Sequence, residues 1–179
     1  MKNIFKVFIL TALLVFSQSA FAFGENSPEI RANFKSKTPY STSKLNWYLG
    51  IKVYDINLWT DAKKWSYNEK FALQIKYNIN IKREKFTESS IKEIKRYYKI
   101  DDFEKTYTNK FNEIYPDVKK GDIITAIYNP KNGHTELFHN GKSKGKITDK
   151  GFSRVFLDIW LHENNYYQET SCELRQDCQ

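Results

Sequence analysis

The chain has 179 residues, 40% of them hydrophobic and 16% aromatic, and carries Lys+Arg 29 against Asp+Glu 21 for a formal net charge of +8. At about 100–200 residues per domain this is one domain with enough chain for a real core, which excludes a multidomain enzyme. With Phe 13, Tyr 12 and Trp 4, it is also far too aromatic to be intrinsically disordered.

The first 22 residues read as a secretory signal peptide. Lys2 and Lys6 make a positive start, residues 7–16 form an apolar run broken only by Thr11, and Ala20-Phe21-Ala22 has the A-x-A form of a cleavage site. The run falls short of the about 20 apolar residues a membrane span requires. The expectation is therefore an exported, periplasmic protein with no stable membrane span after cleavage. Only five of the basic residues are Arg (Arg31, Arg83, Arg96, Arg154, Arg175), and the Lys residues are spread along the chain. That pattern argues against nucleic acid as a partner, because base and phosphate readers favour clustered arginine.

Residues 23–43, with Pro28 and Pro39 and no sustained periodicity, are expected to form an irregular arm. From Lys44 the pattern turns strand-like. Leu45, Trp47 and Leu49 alternate with polar neighbours, Gly50 interrupts, and Tyr54, Ile56 and Leu58 then share one face. After a loop over 61–68, Phe71, Leu73, Ile75, Tyr77, Ile79 and Ile81 alternate with smaller or polar residues, a period of two that buries one sheet face and wets the other. The spacing of Phe86, Ile91, Ile94, Tyr97 and Tyr98 predicts a helix over 84–98. Asp101 with Glu104 three residues on predicts the N-cap of a second helix that ends at Pro116. Strands follow over 122–129 and 134–139. Asn140-Gly141 is a hairpin signal, since both positions favour positive φ. A last helix over 149–161 presents Phe152, Val155, Phe156, Ile159 and Trp160. Strands with helices between them, then a hairpin and a helix, make an α+β fold, an antiparallel sheet covered on one face by a layer of helices.

Cys172 and Cys178, the only cysteines, are expected to form a disulfide in an oxidising compartment. Six residues apart on an unbroken helix they would lie on different faces, so the bridge requires a turn or frayed end. No metal set is expected. His134 and His139 are an odd number apart along a strand and point to opposite faces, and His162 falls at a helix end. There is no G-x-S-x-G elbow and no Gly-rich phosphate loop. What remains is the aromatic stock, which either fills the space under the helices or lines it as an apolar pocket with Tyr hydroxyls as orienting groups.

Several segments in order resemble the bacterial branch of the chalcone isomerase-like family: GIKVYDINLW at 50–59, FALQIKY at 71–77 with its following helix, YPDVKKGD at 115–122, the turn Asn140-Gly141, and FSRVFLDIWL at 152–161. The resemblance covers a domain over residues 44–163 and leaves 164–179 as a C-terminal tail holding the cysteine pair. It implies an antiparallel sheet carrying helices, with any ligand cleft between the two layers and no metal or organic cofactor. Plant enzymes of this fold close a chalcone to a flavanone, and non-catalytic relatives bind fatty acids. The plant reaction depends on an Arg early in the paired strands, a Thr shortly after it and a Tyr further on. Here no Arg occurs between Arg31 and Arg83, so that position is vacant or taken by Lys44, and the Thr position falls at Tyr54. Lysine lacks the planar fork that holds an anion bidentately, and no catalytic residue carries over.

The leading reading is an exported protein that binds a small apolar or amphipathic ligand, such as a fatty acid, oriented by Lys44, Tyr54, Tyr77 and Tyr98. The alternative is an intramolecular lyase or isomerase with a Tyr as acid and Lys44 as its electrostatic partner. A partner-binding envelope protein would instead show a filled interior and an exposed apolar patch.

Overall fold

A computed structural model describes residues 23–99 and 102–179. The expected signal segment and the expected N-cap Asp101 lie outside them. In chain order the elements are α1 (Pro28–Asn33), β1 (Ser41–Asn46), a 3-10 turn (Tyr48–Gly50), β2 (Lys52–Thr60), β3 (Phe71–Tyr77), α2 (Arg83–Ile94), α3 (Phe103–Ile114), β4 (Ile123–Asn129), β5 (His134–His139), β6 (Lys142–Ile147), α4 (Lys150–Leu161) and α5 (Gln168–Arg175). The six strands form one antiparallel sheet in sequential order from β1 to β6. This is the α+β arrangement that the change of periodicity along the chain predicts.

Strand register explains where the core sits. Leu45, Tyr54 and Tyr77 occupy one cross-strand row, and Leu58, Leu73, Ala126 and Leu137 another on the same face. Helices α2, α3 and α4 cover that face, and Phe111, Phe156 and Leu157 are fully buried between the layers. Helix α4 starts where its cap predicts: the Asp149 side chain accepts a hydrogen bond from the Phe152 backbone N–H at 3.0 Å, closing an otherwise unpaired donor of the first turn.

Three local expectations need correction. The face of the sheet read as wetted is covered at its centre. Ile30 and Phe34 from and just beyond α1 pack on Trp59, Ala72 and Ile127, and buried Gln74 donates to the Ser27 hydroxyl at 2.6 Å. Residues 23–43 are thus not an irregular arm throughout. Helix α1 has only six residues, too few for an apolar period to register in the sequence or for a helix to stand alone, and it exists by docking on the sheet. The tail after residue 163 likewise holds α5, which lies along β1: Ser41 Oγ donates to the Leu174 carbonyl at 2.5 Å and Thr170 Oγ1 to the Lys44 carbonyl at 3.0 Å. As the hairpin signal implies, a strand follows the turn, β6, made of mostly polar residues. The hairpin turn Asn140-Gly141, with φ of 53° and 75°, pairs it to β5, and its three lysines blunt a sheet edge.

Cys172 and Cys178 are bridged, with a Cα–Cα distance of 4.8 Å. The break that such a bridge requires is present, because α5 ends at Arg175 and Gln176 adopts φ 57°.

Candidate functional site

Where the first three strands meet α2 and the ends of α4 and α5, the two layers part to leave a cleft of about 670 Å³. Its floor is aromatic and apolar. Tyr54 and Tyr77, paired across β2 and β3, meet edge to face at 5.9 Å between ring centroids. Phe86 of α2 meets Tyr77 edge to face at 5.2 Å and stacks on Tyr115 at 5.0 Å. Trp160 of α4 closes the inner end beside Tyr54. Beneath these rings remains a space of only about 20 Å³, bordered by Leu73, Tyr115 and Phe156, roughly room for one water. The aromatic residues therefore do both things that the composition allows: one set fills the core and another lines a cavity above it.

Burial sets the chemistry of that floor. It pushes the hydroxyls of Tyr54 and Tyr77 above the usual tyrosine range, because a phenolate would lose its hydration there. Both are thus neutral at physiological pH. Tyr77 is the better placed to orient a ligand, since its hydroxyl has no hydrogen-bond partner among the described residues while it borders the open space.

The wall made by α2 is of opposite character. Lys82, Lys85, Lys92 and Arg96, within α2 or just beyond its ends, follow one another at intervals of three, seven and four and line one side of the mouth, a spacing that keeps residues on one helix face. Glu93 is the one acid among the lining residues. It is buried, accepts the Tyr166 backbone N–H at 2.7 Å, and lies 3.7 Å from the Arg96 guanidinium, which in turn covers the Tyr166 ring at 4.3 Å. Burial raises its carboxyl above the usual value, partly offset by that N–H and by Arg96.

The four residues expected to orient a ligand do not converge. Tyr54 and Tyr77 lie in the cleft. Lys44 is exposed and pairs with Asp55, one residue out of phase with the Leu45–Tyr54–Tyr77 row, and it borders a separate groove with Thr170 and Glu173. It is therefore not placed to partner Tyr54. Tyr98 belongs to a polar node on another side of α4. There the buried Asp158 carboxylate accepts hydrogen bonds from the Tyr98 and Tyr67 hydroxyls, both at 2.6 Å, and from Arg154 Nε at 3.1 Å. The Tyr97 hydroxyl donates to the Asp158 carbonyl at 2.8 Å. Residue-type reasoning missed the basic row along α2, although its spacing of three, seven and four is visible in the sequence, and missed Phe86 and Trp160 as lining residues because they read equally well as core.

Comparison with known proteins agrees with this geometry. A protein from Haemophilus influenzae (strain Rd), itself uncharacterized, is 26% identical over 144 residues, spanning 80% of this chain and 70% of its own length. A solved structure of a fatty-acid binding protein from Arabidopsis thaliana superposes with a TM-score of 0.57 at 14% identity, covering 80% of this chain and 89% of that one. That likeness is one of fold. The model of the chalcone isomerase-like family matches residues 47–170, and a match over that much of the sequence means that this chain belongs to the chalcone isomerase-like family.

Proposed function

We propose that this protein binds a single-chain amphipathic anion, such as a fatty acid, in the cleft between sheet and helices, and that it does so without catalysis, in the periplasm. The observation that carries the reading is the polarity of the cleft. An aromatic floor runs from Tyr54 to Trp160, and four cations stand at the mouth against one buried acid. A hydrocarbon tail gains by leaving water for the floor, while an anionic head gains by staying at a basic, solvent-exposed rim. The volume lies within the roughly 300–1,000 Å³ typical of small-molecule sites.

Two further features support the reading. The fold neighbour from Arabidopsis thaliana is a fatty-acid binding protein. The Cys172–Cys178 bridge suits an oxidising compartment. For a chalcone-type isomerisation the cleft offers neutral tyrosines but no cation on its floor to steady a phenolate, so binding is the better supported of the two readings.

The test is thermal unfolding with fatty acids of graded length. A ligand at about a hundred times its Kd stabilises the native state by about 2.7 kcal/mol, which for a chain of this size raises Tm by roughly 5–10 °C. Native mass spectrometry of protein purified from the envelope identifies a co-purifying ligand. A protein that emerges empty and shows no shift with any chain length rules the reading out.

A further inference from the structure

Four large apolar side chains stand exposed among the described residues: Trp47 (48%), Leu49 (84%), Ile51 (51%) and Tyr166 (61%). Three of them fall within five consecutive residues of the β1–β2 connection. Trp47 and Tyr166 also line the mouth of the cleft, so the four form one cluster at its entrance. The connection holds them outward in a closed turn: the Trp47 N–H donates to the Ile51 carbonyl at 2.7 Å and the Gly50 N–H to the Trp47 carbonyl at 3.1 Å. Leu49 sits at φ 63° and ψ 21°, the left-handed region that asparagine or glycine occupies more readily than leucine. A leucine that is both left-handed and exposed is doubly unfavourable in water, and apolar cover relieves the exposure.

The surroundings of the tip are basic. Lys44 and Lys52 lie on the two strands that it joins, and Lys82, Lys85, Lys92 and Arg96 lie across the cleft mouth. The acids near them are engaged: Asp55 pairs with Lys52 at 2.6 Å, Asp117 with Lys82 at 3.0 Å and Glu88 with Lys85 at 2.6 Å, and Glu93 lies against Arg96, which leaves Lys44 and Lys92 without an ion pair among the described residues. Glu169 and Glu173 border the separate groove beside Lys44.

We infer that the 47–51 tip, with Tyr166, is a docking element for a bilayer leaflet that contains anionic lipid. Leu49 and Ile51 would enter the boundary between headgroups and acyl chains, Trp47 and Tyr166 would lie at headgroup level, and the lysines would meet lipid phosphates. A protein partner fits the surface less well. The tip presents four side chains, far from the roughly 20–30 residues a side of a stable protein interface, and the ring of lysines matches a surface of negative charge. Docked in this way the cleft mouth opens against the leaflet, so an acyl chain passes between membrane and protein without crossing water. That last consequence rests on the ligand reading above, whereas the docking itself does not.

The experiment uses the full chain with vesicles of phosphatidylcholine alone or with about one-third phosphatidylglycerol, and reads tryptophan emission and its quenching by lipids brominated along the acyl chain. Trp47→Phe identifies the share of the signal that belongs to Trp47. The expected result is a blue-shifted, bromolipid-quenched Trp47 on anionic vesicles, weakened by salt. The double variant Leu49→Ser and Ile51→Ser should lower apparent affinity roughly tenfold or more while leaving Tm and the fatty-acid-induced thermal shift unchanged. Trp47 emission that vesicles do not move, or equal affinity in the double variant, overturns the docking. Concentration-dependent shielding of Trp47 from acrylamide without vesicles assigns the tip to a contact between copies and overturns it as well. In the unmutated chain, no vesicle binding with an intact fatty-acid shift refutes the docking alone, and an absent shift with intact docking refutes the cleft reading alone.

Discussion

Replacing Lys85 and Lys92 by Gln removes two of the four cations at the cleft mouth without stranding a buried partner. Lys92 has no ion pair among the described residues, and Lys85 pairs with Glu88 of its own helix at 2.6 Å, both side chains being well exposed. Unit charges about 4 Å apart in water interact by about 1 kcal/mol. Two lost contacts with a carboxylate thus amount to about 2 kcal/mol at low ionic strength, or roughly 30-fold in affinity. Screening over a Debye length of about 8 Å and the mobility of lysine side chains reduce this to an expected loss of about 5–10-fold at physiological salt. Isothermal titration below the micelle concentration, with a fatty acid and with the alcohol of the same length, separates head from tail. The acid should weaken, the alcohol should not, and the difference should vanish near 1 M salt, where the Debye length is about 3 Å. Equal affinity for the acid in both proteins, or equal losses for acid and alcohol, refutes the assignment of the α2 row to the headgroup.

Ser89 is exposed on the same wall, so Ser89→Trp should narrow the cleft at a stability cost within about 0.5 kcal/mol and weaken long chains more than short ones in the same titration. Asp158→Ala leaves the Tyr67 and Tyr98 hydroxyls and Arg154 without their shared acceptor, and should cost about 3 kcal/mol by urea unfolding; Tyr98→Phe, which removes one of those bonds, should cost about 1 kcal/mol. The raised carboxyl of Glu93 means that the native state holds its proton more tightly than the unfolded chain does. Stability relative to Glu93→Gln should therefore be greatest below the ordinary glutamate value of 4.5 and should fall as pH rises through the raised value. Melts of the two proteins across that range check the sign.

Much of the fold was legible because its elements are long enough for periodicity to speak. The alternation from Phe71 to Tyr77, the apolar stripe from Phe152 to Trp160 and the Asn140-Gly141 turn each depend on local backbone geometry, which repeats every two residues in a strand and every 3.6 in a helix. The elements that were not legible are those whose existence depends on distant contacts. Helix α1 is held by the sheet face around Trp59 and α5 by β1. The polar sequence of α5 carries no apolar period to announce it, and that of β6 is announced only by the turn before it.

For the site the division is sharper. Composition alone established that aromatic residues would dominate the interior and that basic charge would be in excess. Which aromatic residues fill and which line was decided by packing, because Tyr54 and Tyr77 face a gap where Phe111 and Phe156 face one another's helices, and the two situations look alike in a one-dimensional pattern. The family resemblance likewise offered Lys44, as the residue at the expected arginine position on the strand paired with that of Tyr54. Register placed it one residue out of phase, and a strand's period of two sends such a neighbour to the opposite face. The cations that do border the cleft come from α2, brought there by a crossing of layers that only the tertiary structure specifies.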